Sequence, residues 1–443
     1  MTSGLVSDPL ELGVIDAAAA IRDRQLTSVE LVTACLDRIA ATDDAVRAWV
    51  TVDADGALAA ARAADDFASE DGPRGPLHGV PIGLKDLIDV EGLVTTAGAG
   101  PFAHTIARAD APLVMRLRGA GAIVLGKTVP TTFAYKDEPP TRNPWDLGRT
   151  PGGSSSGSAA AVAARQVPAA IGTQTIGSIL RPAAFCGVVG LKGPHGAVPL
   201  EGVFPLGWSL DHGGPLARSV ADAAAVEGVV TGQTIDLSPD PVAPRLAVAA
   251  ELLDAAEPEL RARLEALIGD AANAGATVGS IELPPSLDAA IAAGRLVLES
   301  EAATVHEAMF AAHGDAYPPQ IAGLVRAGLA RRATELVAAR REVEDLGTAM
   351  APLLAGCHAL VSPVTPGTAP RIGAGTGDPG LCAPWSFIGV PAISLPIGLA
   401  ADGLPLAIQL VGGRDRMTPL LRAAAWMERL IDFVDRPAVV AQR

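Results

Sequence analysis

The sequence contains few cysteines and no long uncharged apolar segment. Its 443 residues include four cysteines that are far apart and form no CxxC pair, namely Cys35, Cys186, Cys357 and Cys382. This spacing predicts buried free thiols in a reducing compartment rather than a disulfide framework. No apolar run reaches the roughly 18 residues of a membrane helix, and the N-terminal residues lack the pattern of a signal peptide. The sequence therefore predicts a cytoplasmic protein that does not associate with membranes.

Basic residues and paired histidines are also scarce. The chain has 34 Lys and Arg against 49 Asp and Glu, a formal net charge of −15, and no basic cluster interrupts this balance. Because nucleic acids bind proteins through basic patches, we do not expect a nucleic-acid partner. The seven histidines show neither an HExxH motif nor paired spacing. The sequence therefore predicts no metal site and no cofactor.

Strand-like and helix-like patterns alternate along the first half of the chain. Residues 26–39 begin with Thr27 and Glu30 at capping-box spacing and continue with apolar residues at helical intervals, which predicts an amphipathic helix. Residues 79–90 and 120–128 are short, β-branched and bounded by glycines, which predicts buried strands. This alternation is typical of an α/β fold.

The second half of the chain continues the same alternation. Residues 258–284 read as a helix followed by a strand, and residues 296–350 as mostly helical. Three apolar segments between prolines, 357–366, 386–396 and 404–413, are predicted to supply strands that complete the sheet.

A serine-rich stretch, TPGGSSSGSAAA, occupies residues 150–161. It contains GSSSG, which matches the GxSxG nucleophile elbow and would make Ser155 the attacking group. An elbow follows an apolar strand, however, and the residues before this motif are a loop rich in Pro, Arg and Gly. The glycines could instead bind phosphate ahead of a helix, but no Lys stands in the GK[ST] position. The sequence thus favours neither an elbow nor a phosphate loop.

A second small-residue turn lies in QTIGSILRPAAFCGVVGLKG at residues 174–193. Together with seven other segments, it resembles the amidase signature family of serine hydrolases. These segments are GVPIGLKDLIDV, DAPLVMRLRGAGAIVLGKT, NPWDLGRTPGGSSSGSAAAVAA, SLDHGGPLARSVADAA, PVTPGTAP, APWSFIGVPAISLP and GLPLAIQLVG. The resemblance implies one α/β domain over residues 1–443, with a central twisted mixed β-sheet covered by helices on both faces. It further implies a catalytic core at about 75–230, a variable helical segment at about 231–350 and a sheet-completing segment at about 351–430.

The resemblance also implies three catalytic side chains. Ser178 would be the nucleophile, Ser154 a proton relay preceded by a cis peptide bond, and Lys85 the base. A serine is a weak nucleophile until a base removes its proton, and a lysine can be that base only when its pKa is lowered. The apolar segment around Lys85 is consistent with burial, although Asp86 would oppose the pKa shift if its side chain pointed inward. Seen alone, Lys85 would read as a surface lysine at a strand end.

An oxyanion hole and two supporting residues follow from the same resemblance. Backbone N–H groups of Thr175, Ile176 and Gly177, together with that of the nucleophile, would stabilise the negative charge that develops on the carbonyl oxygen. Gly153, on the N-terminal side of the relay serine, and Ser155, which would form hydrogen bonds near the site, are the expected secondary residues.

The nucleophile segment departs from the commonest family pattern, Asp-Thr-Gly-Gly-Ser-Ile-Arg. Gln174 replaces the aspartate and Arg181 lies one residue later. These two changes occur together in one branch of amidases, so the resemblance still implies activity. Ile176 replaces a glycine, and a β-branched residue disfavours positive φ. We expect Ile176 either to narrow the acyl pocket or to pack in its wall.

The implied function is cleavage of the C–N bond of a neutral carboxamide, anilide or carbamate through a serine acyl-enzyme. The expected partner is therefore a small-molecule amide or carbamate, and a homodimer remains open. One alternative is a glutaminase-type subunit of a tRNA-dependent amidotransferase, which works only in a complex. The other is a catalytically degenerate binding protein, in which Ser178→Ala would change no turnover.

Overall fold

A mixed β-sheet forms the centre of the molecule. The computed structural model describes residues 8–100, 105–237 and 242–441, and in these residues the large sheet has 11 strands. The strands, numbered along the chain and including a separate two-stranded pair (β3 and β4), are β1 Trp49–Val52, β2 Pro81–Lys85, β3 Val94–Thr95, β4 Thr105–Ile106, β5 Ile123–Thr128, β6 Ala169–Gln174, β7 Val189–Lys192, β8 His212–Ala217, β9 Arg245–Val248, β10 Thr277–Ser280, β11 Ala359–Pro363, β12 Ala392–Leu399 and β13 Pro405–Val411.

The strand order in the large sheet is β1-β5-β2-β6-β8-β7-β12-β13-β11-β9-β10. Strands β5, β2 and β6 are parallel to one another, as are β11, β9 and β10. The other neighbours are antiparallel. The predicted α/β class with a mixed central sheet is therefore confirmed.

Helices flank this sheet. They are α1 Val14–Arg22, α2 Ser28–Val46, α3 Ala54–Glu70, α4 Pro112–Gly119, α5 Ser156–Ala163, α6 Leu180–Cys186, α7 Val220–Thr231, α8 Ala250–Asp254, α9 Pro258–Asn273, α10 Leu287–His313, α11 Pro319–Leu329, α12 Ala333–Ala355, α13 Ala383–Phe387, α14 Met417–Ile431 and α15 Ala438–Ala441. Helix α5 packs against β2, β5, β6 and β8, α6 packs against β7, β12 and β13, and α10 packs against α11 and α12.

The local sequence signals explain most of these elements. The predicted capping box at the start of α2 is present: Glu30 N donates to Thr27 Oγ1 at 3.1 Å, and Thr27 N donates to the Glu30 carboxylate at 2.8 Å. The strands predicted within 79–90 and 120–128 are β2 and β5.

The prediction for residues 386–396 is wrong in its first part. These residues begin inside helix α13, and strand β12 starts only at Ala392. Pro384 lies in the first turn of α13, where a proline favours helix initiation. Gly389 then takes φ +69°, a conformation that glycine adopts at little cost, and the chain turns toward the strand.

Helix α5 is buried on every side. All eight of its residues are buried, which is possible because serine, glycine, alanine and one valine leave no large polar side chain to solvate. A Cβ atom at Gly157 would lie 2.1 Å from the carbonyl oxygen of Ala48, so only glycine permits this approach. The small-residue run therefore fixes the serine-rich loop that precedes α5 against the sheet.

The four cysteines are buried free thiols, as predicted. Among the described residues, no helix is both long and apolar enough to cross a membrane. In the same residues, no three His, Cys, Asp or Glu side chains come together in a group that could hold a metal ion.

Candidate active site

Lys85 is the last residue of β2 and is fully buried. Its Nζ donates to Ser154 Oγ at 2.7 Å, to Thr173 Oγ1 at 2.8 Å and to the Thr173 carbonyl at 3.3 Å. All three acceptors are uncharged. Burial lowers the pKa of Lys85 well below its usual value, and the charge of Asp211 acts in the opposite direction. A buried amine of this kind can act as a base at lower pH than an exposed lysine.

Asp86 does not face Lys85. Its carboxylate forms an ion pair with Lys127 Nζ at 2.9 Å, and both side chains are fully buried. Asp86 Oδ2 also accepts a hydrogen bond from Thr96 N at 3.1 Å. The neighbouring carboxylate therefore has its own cation, and the charge that acts on Lys85 comes from Asp211, which no sequence pattern had indicated.

Ser154 is held by hydrogen bonds on both sides of its peptide bond with Gly153, which is cis as the resemblance implied. The Ser154 carbonyl accepts from Thr131 N at 3.0 Å. The Gly153 carbonyl accepts from Arg181 Nη2 at 2.6 Å and Nε at 3.2 Å, while Arg181 Nη1 donates to the Gly377 carbonyl at 2.5 Å. The displaced arginine thus holds the peptide bond between Gly153 and Ser154.

Ser178 lies in the turn at residues 175–178 between β6 and α6, which we call the oxyanion turn after the role that the resemblance implies for it. Its carbonyl accepts from Ser155 N at 3.1 Å, which joins the turn to the serine-rich loop. The side chain is 8 % exposed, and in the described residues its hydroxyl has no hydrogen-bond partner. The structure therefore joins Lys85 and Ser154 through their side chains and brings Ser178 to the same loop through its backbone.

Ser155 is fully buried and bonded to β6. Its Oγ donates to the Thr173 carbonyl at 3.1 Å and accepts from Thr173 N at 3.2 Å. A Cβ atom at Gly172 would lie 2.6 Å from this hydroxyl, so the glycine makes room for it. Because the hydroxyl is buried and committed to the backbone, the elbow interpretation of GSSSG has no support in the geometry.

Gln174 closes the oxyanion turn from the sheet side. Its Oε1 accepts from the backbone N–H groups of Ile179 at 2.8 Å and Leu180 at 3.0 Å, at the start of α6. Its Nε2 donates to Ser386 Oγ at 3.0 Å, and Ser386 Oγ donates to the Ile176 carbonyl at 2.5 Å. The amide side chain thus anchors the start of α6 directly and the Ile176 carbonyl through Ser386.

Ile176 fits the turn without a positive φ, since it is not among the described residues that adopt one. It is partly buried and packs against the apolar cluster that includes Leu206 and Leu210. Its effect on the acyl pocket stays a prediction. The backbone N–H groups of Ile176, Gly177 and Ser178 donate to no protein acceptor within the described residues. These donors are therefore available to a ligand.

Thr175 is tied to a carboxylate that sequence reasoning missed. Thr175 Oγ1 donates to Asp211 Oδ1 at 2.5 Å, and Asp211 Oδ2 accepts from Leu206 N at 2.9 Å and Gly207 N at 3.1 Å. Burial raises the pKa of Asp211 to about 6, although these hydrogen bonds and the charge of Lys85 oppose the shift. The available signal was its position in SLDHGGPLARSVADAA, one of the segments that carry the resemblance.

A cavity of about 330 Å³ adjoins this cluster. Its polar lining consists of Thr173, Glu201 and Asp211. The rest of the lining is apolar and comprises Ala134, Leu200, Val203, Phe204, Pro205, Leu206 and Trp208. We call residues 206–210 the wall loop. The cavity can therefore hold a small apolar group beside Thr173, which binds the buried lysine, and Asp211, which binds Thr175.

The chain is similar to known proteins over most of its length. A glutamyl-tRNA(Gln) amidotransferase subunit from Anaeromyxobacter sp. (strain K) is 36 % identical over 492 aligned positions, covering 96 % of this chain and 97 % of that protein. A crystal structure of an amidase superposes with a TM-score of 0.89 at 33 % identity, covering 94 % of this chain and 99 % of that one. Native peptide amidase from Stenotrophomonas maltophilia gives 0.86 at 31 % identity, covering 97 % and 99 %. The Amidase family model matches residues 30–418, and the chain belongs to the amidase family.

Proposed function

We propose that this chain hydrolyses a neutral carboxamide, anilide or carbamate through an acyl-enzyme on Ser178. The observation that carries the proposal is the position of the Lys85 amine, which is fully buried and lies 2.7 Å from Ser154 Oγ. Its lowered pKa makes the amine a suitable base. Ser178 lies on the oxyanion turn, and its carbonyl accepts a hydrogen bond from Ser155 N in the same serine-rich loop.

In the proposed mechanism Ser154 carries protons between Ser178 and Lys85. Lys85 takes a proton from Ser154, and Ser154 takes one from Ser178 as Ser178 Oγ attacks the carbonyl carbon. Free N–H groups of the oxyanion turn stabilise the oxyanion. The proton then returns through Ser154 to the departing amine, and water hydrolyses the ester. With a carbamate, the amine leaves first and hydrolysis of the remaining carbonate ester yields an alcohol and CO₂.

The cavity supports a neutral, apolar substrate group. Its wall consists mainly of aliphatic and aromatic side chains, and the charged groups that line it are the carboxylic acids Glu201 and Asp211. An anionic substrate group would be repelled at this place, whereas an alkyl or aryl group would gain from burial. A volume of about 330 Å³ accommodates a group of roughly the size of a substituted phenyl ring.

The test is hydrolysis by the purified chain alone. A panel of aliphatic amides, anilides and aryl carbamates should yield at least one substrate that is turned over, and Ser178→Ala should abolish that turnover. A fluorophosphonate probe should label Ser178, as located by peptide mass spectrometry. Turnover that survives Ser178→Ala, or labelling at Ser155, would contradict the proposal.

The second candidate function is that of one component of an amidotransferase, because relatives at 36 % identity carry that name. The 492 aligned positions exceed the 443 residues of this chain, so the relative has residues that this chain lacks. Such a component should release ammonia from glutamine only together with its partners. Strong turnover of an anilide or carbamate by the isolated chain would exclude this candidate.

A further inference from the structure

The carboxylate of Asp211 lies between the oxyanion turn and the wall loop. One oxygen accepts the Thr175 hydroxyl at 2.5 Å, and the other accepts the N–H groups of Leu206 and Gly207 at 2.9 and 3.1 Å. The side chain is 8 % exposed. A buried, hydrogen-bonded carboxylate holds its partners in a fixed geometry more firmly than a neutral acceptor does.

We propose that Asp211 and Thr175 form a positioning pair that keeps the N–H groups of the oxyanion turn aimed at the reacting carbonyl. The inference rests on the proposed hydrolysis at Ser178. Oxyanion donors accelerate a reaction only when they are already oriented before charge develops. In the described residues the N–H groups of Ile176 and Gly177 have no protein acceptor to orient them, so the orientation of the turn depends on the hydrogen bonds of its carbonyl groups and of the Thr175 side chain.

The wall loop has a separate anchor, which argues that the Thr175 hydroxyl serves the turn. Ser209 N and Ser209 Oγ donate to the buried carboxylate of Glu301 at 3.0 and 2.6 Å, and Arg340 Nη2 donates to the same carboxylate at 2.9 Å. Together with the two N–H bonds to Asp211, this leaves the loop fixed when the Thr175 bond is removed. The hydrogen bond from Thr175 therefore ties the turn to a loop that the carboxylates of Asp211 and Glu301 already hold in place.

The test is a pair of substitutions at Thr175. Thr175→Val removes the hydroxyl and keeps the side-chain shape, so kcat should fall by about tenfold or more while KM stays within about twofold, because the loss is confined to the transition state. Thr175→Ser keeps the hydroxyl and should restore kcat. The rate of fluorophosphonate labelling at Ser178 should fall in parallel, since the same donors receive the charge that develops during that reaction.

Thr141→Val is the matched control. Thr141 is also a buried threonine whose Oγ1 donates one hydrogen bond, to the Arg47 carbonyl at the end of α2 at 2.8 Å, and this bond involves no residue of the site. Its substitution should cost comparable stability in urea unfolding and leave kcat unchanged. Asp211→Asn provides a second variant in case Thr175→Val fails to fold, and it should lower kcat and the labelling rate in the same direction.

The inference is overturned if Thr175→Val keeps wild-type kcat and labelling rate, if it loses no more activity than Thr141→Val, or if Thr175→Ser fails to restore kcat. A change in KM alone would also overturn it, since that would mean a binding role. These outcomes differ from failure of the proposed function, in which the wild-type chain turns over nothing on the panel or Ser178→Ala stays active.

Discussion

Replacing Ser154 with alanine removes the hydrogen bond that joins Lys85 to the serine-rich loop. The substitution deletes the acceptor at 2.7 Å, but the Lys85 amine keeps the Thr173 hydroxyl at 2.8 Å and the Thr173 carbonyl at 3.3 Å. Lys85 should therefore stay in place, and the free energy of unfolding should fall by only about 1 kcal/mol, the usual net value of one hydrogen bond. The effect on catalysis should be much larger than the effect on stability.

The catalytic loss follows from the missing proton path. Positioned proton transfer contributes about 10²- to 10⁴-fold to rate, which corresponds to about 3 to 5 kcal/mol of transition-state stabilisation. Ser154→Ala should therefore reduce kcat/KM by that factor, with most of the loss in kcat. The assay is continuous release of the chromogenic amine from an anilide, with the labelling rate at Ser178 as a second measurement.

Ser156→Ala is the matched control for this experiment. Ser156 is the first residue of α5, and its buried hydroxyl donates to the Gly152 carbonyl in the preceding loop at 2.6 Å. The variant should keep activity within a few-fold of wild type. A Ser154→Ala variant that retains more than about a tenth of wild-type kcat/KM would refute the relay, because that loss is smaller than proton transfer contributes. Equal losses in both variants would show that the loop, and not the relay hydroxyl, limits the rate.

Activity should rise with pH as Lys85 loses its proton and level off below the pH at which an ordinary lysine titrates, and a flat profile from about pH 5 to 9 would contradict Lys85 as the base. Lys127→Met leaves the buried carboxylate of Asp86 without its cation and should lower the free energy of unfolding in urea by about 3 to 5 kcal/mol. An unchanged urea midpoint would refute this. Burial raises the pKa of Glu227 to about 8 from 4.5, so wild-type stability should fall across that window as pH rises. The stability of Glu227→Gln relative to wild type should therefore grow between pH 5 and 8, and a constant difference would contradict it. Trp208, 48 % exposed on the cavity wall, should matter for aryl substrates: Trp208→Ala should lower kcat/KM for anilides by about tenfold and spare small aliphatic amides, and equal losses would count against that role.

The sequence predicted individual helices and strands better than it predicted which side chains meet in the site. The cap of α2 and strands β2 and β5 depend on neighbouring residues, so spacing and composition were sufficient. The contact between Lys85 and Thr173 depends on β6 lying beside β2 in the sheet. The order of strands in a sheet cannot be predicted from the local periodicity of the sequence. Only the resemblance placed Lys85 with Ser154, and it said nothing of Thr173.

Asp211 shows the same limit more clearly. It sits at the turn before β8, far along the chain from Lys85, and its effect depends on the antiparallel pairing of β8 with β6, in which His212 faces Gln174. That pairing puts the residue before His212 beside the residue after Gln174, which is Thr175. A carboxylate that follows three apolar or small residues gives no local signal of such a partner.

Lys85 and Lys127 are both buried lysines, and they differ in the groups to which their amines bind. They lie near the ends of the neighbouring parallel strands β2 and β5, where Lys127 pairs in register with Leu84, and both are fully buried. Lys127 has the carboxylate of Asp86 at 2.9 Å and forms an ion pair. Lys85 has two hydroxyls and a carbonyl, and burial lowers its pKa. Because the ion pair occupies the carboxylate next to Lys85 in sequence, that charge does not hold the Lys85 amine in its protonated form. The buried Lys127 cation thereby supports the proposed role of Lys85 as the base.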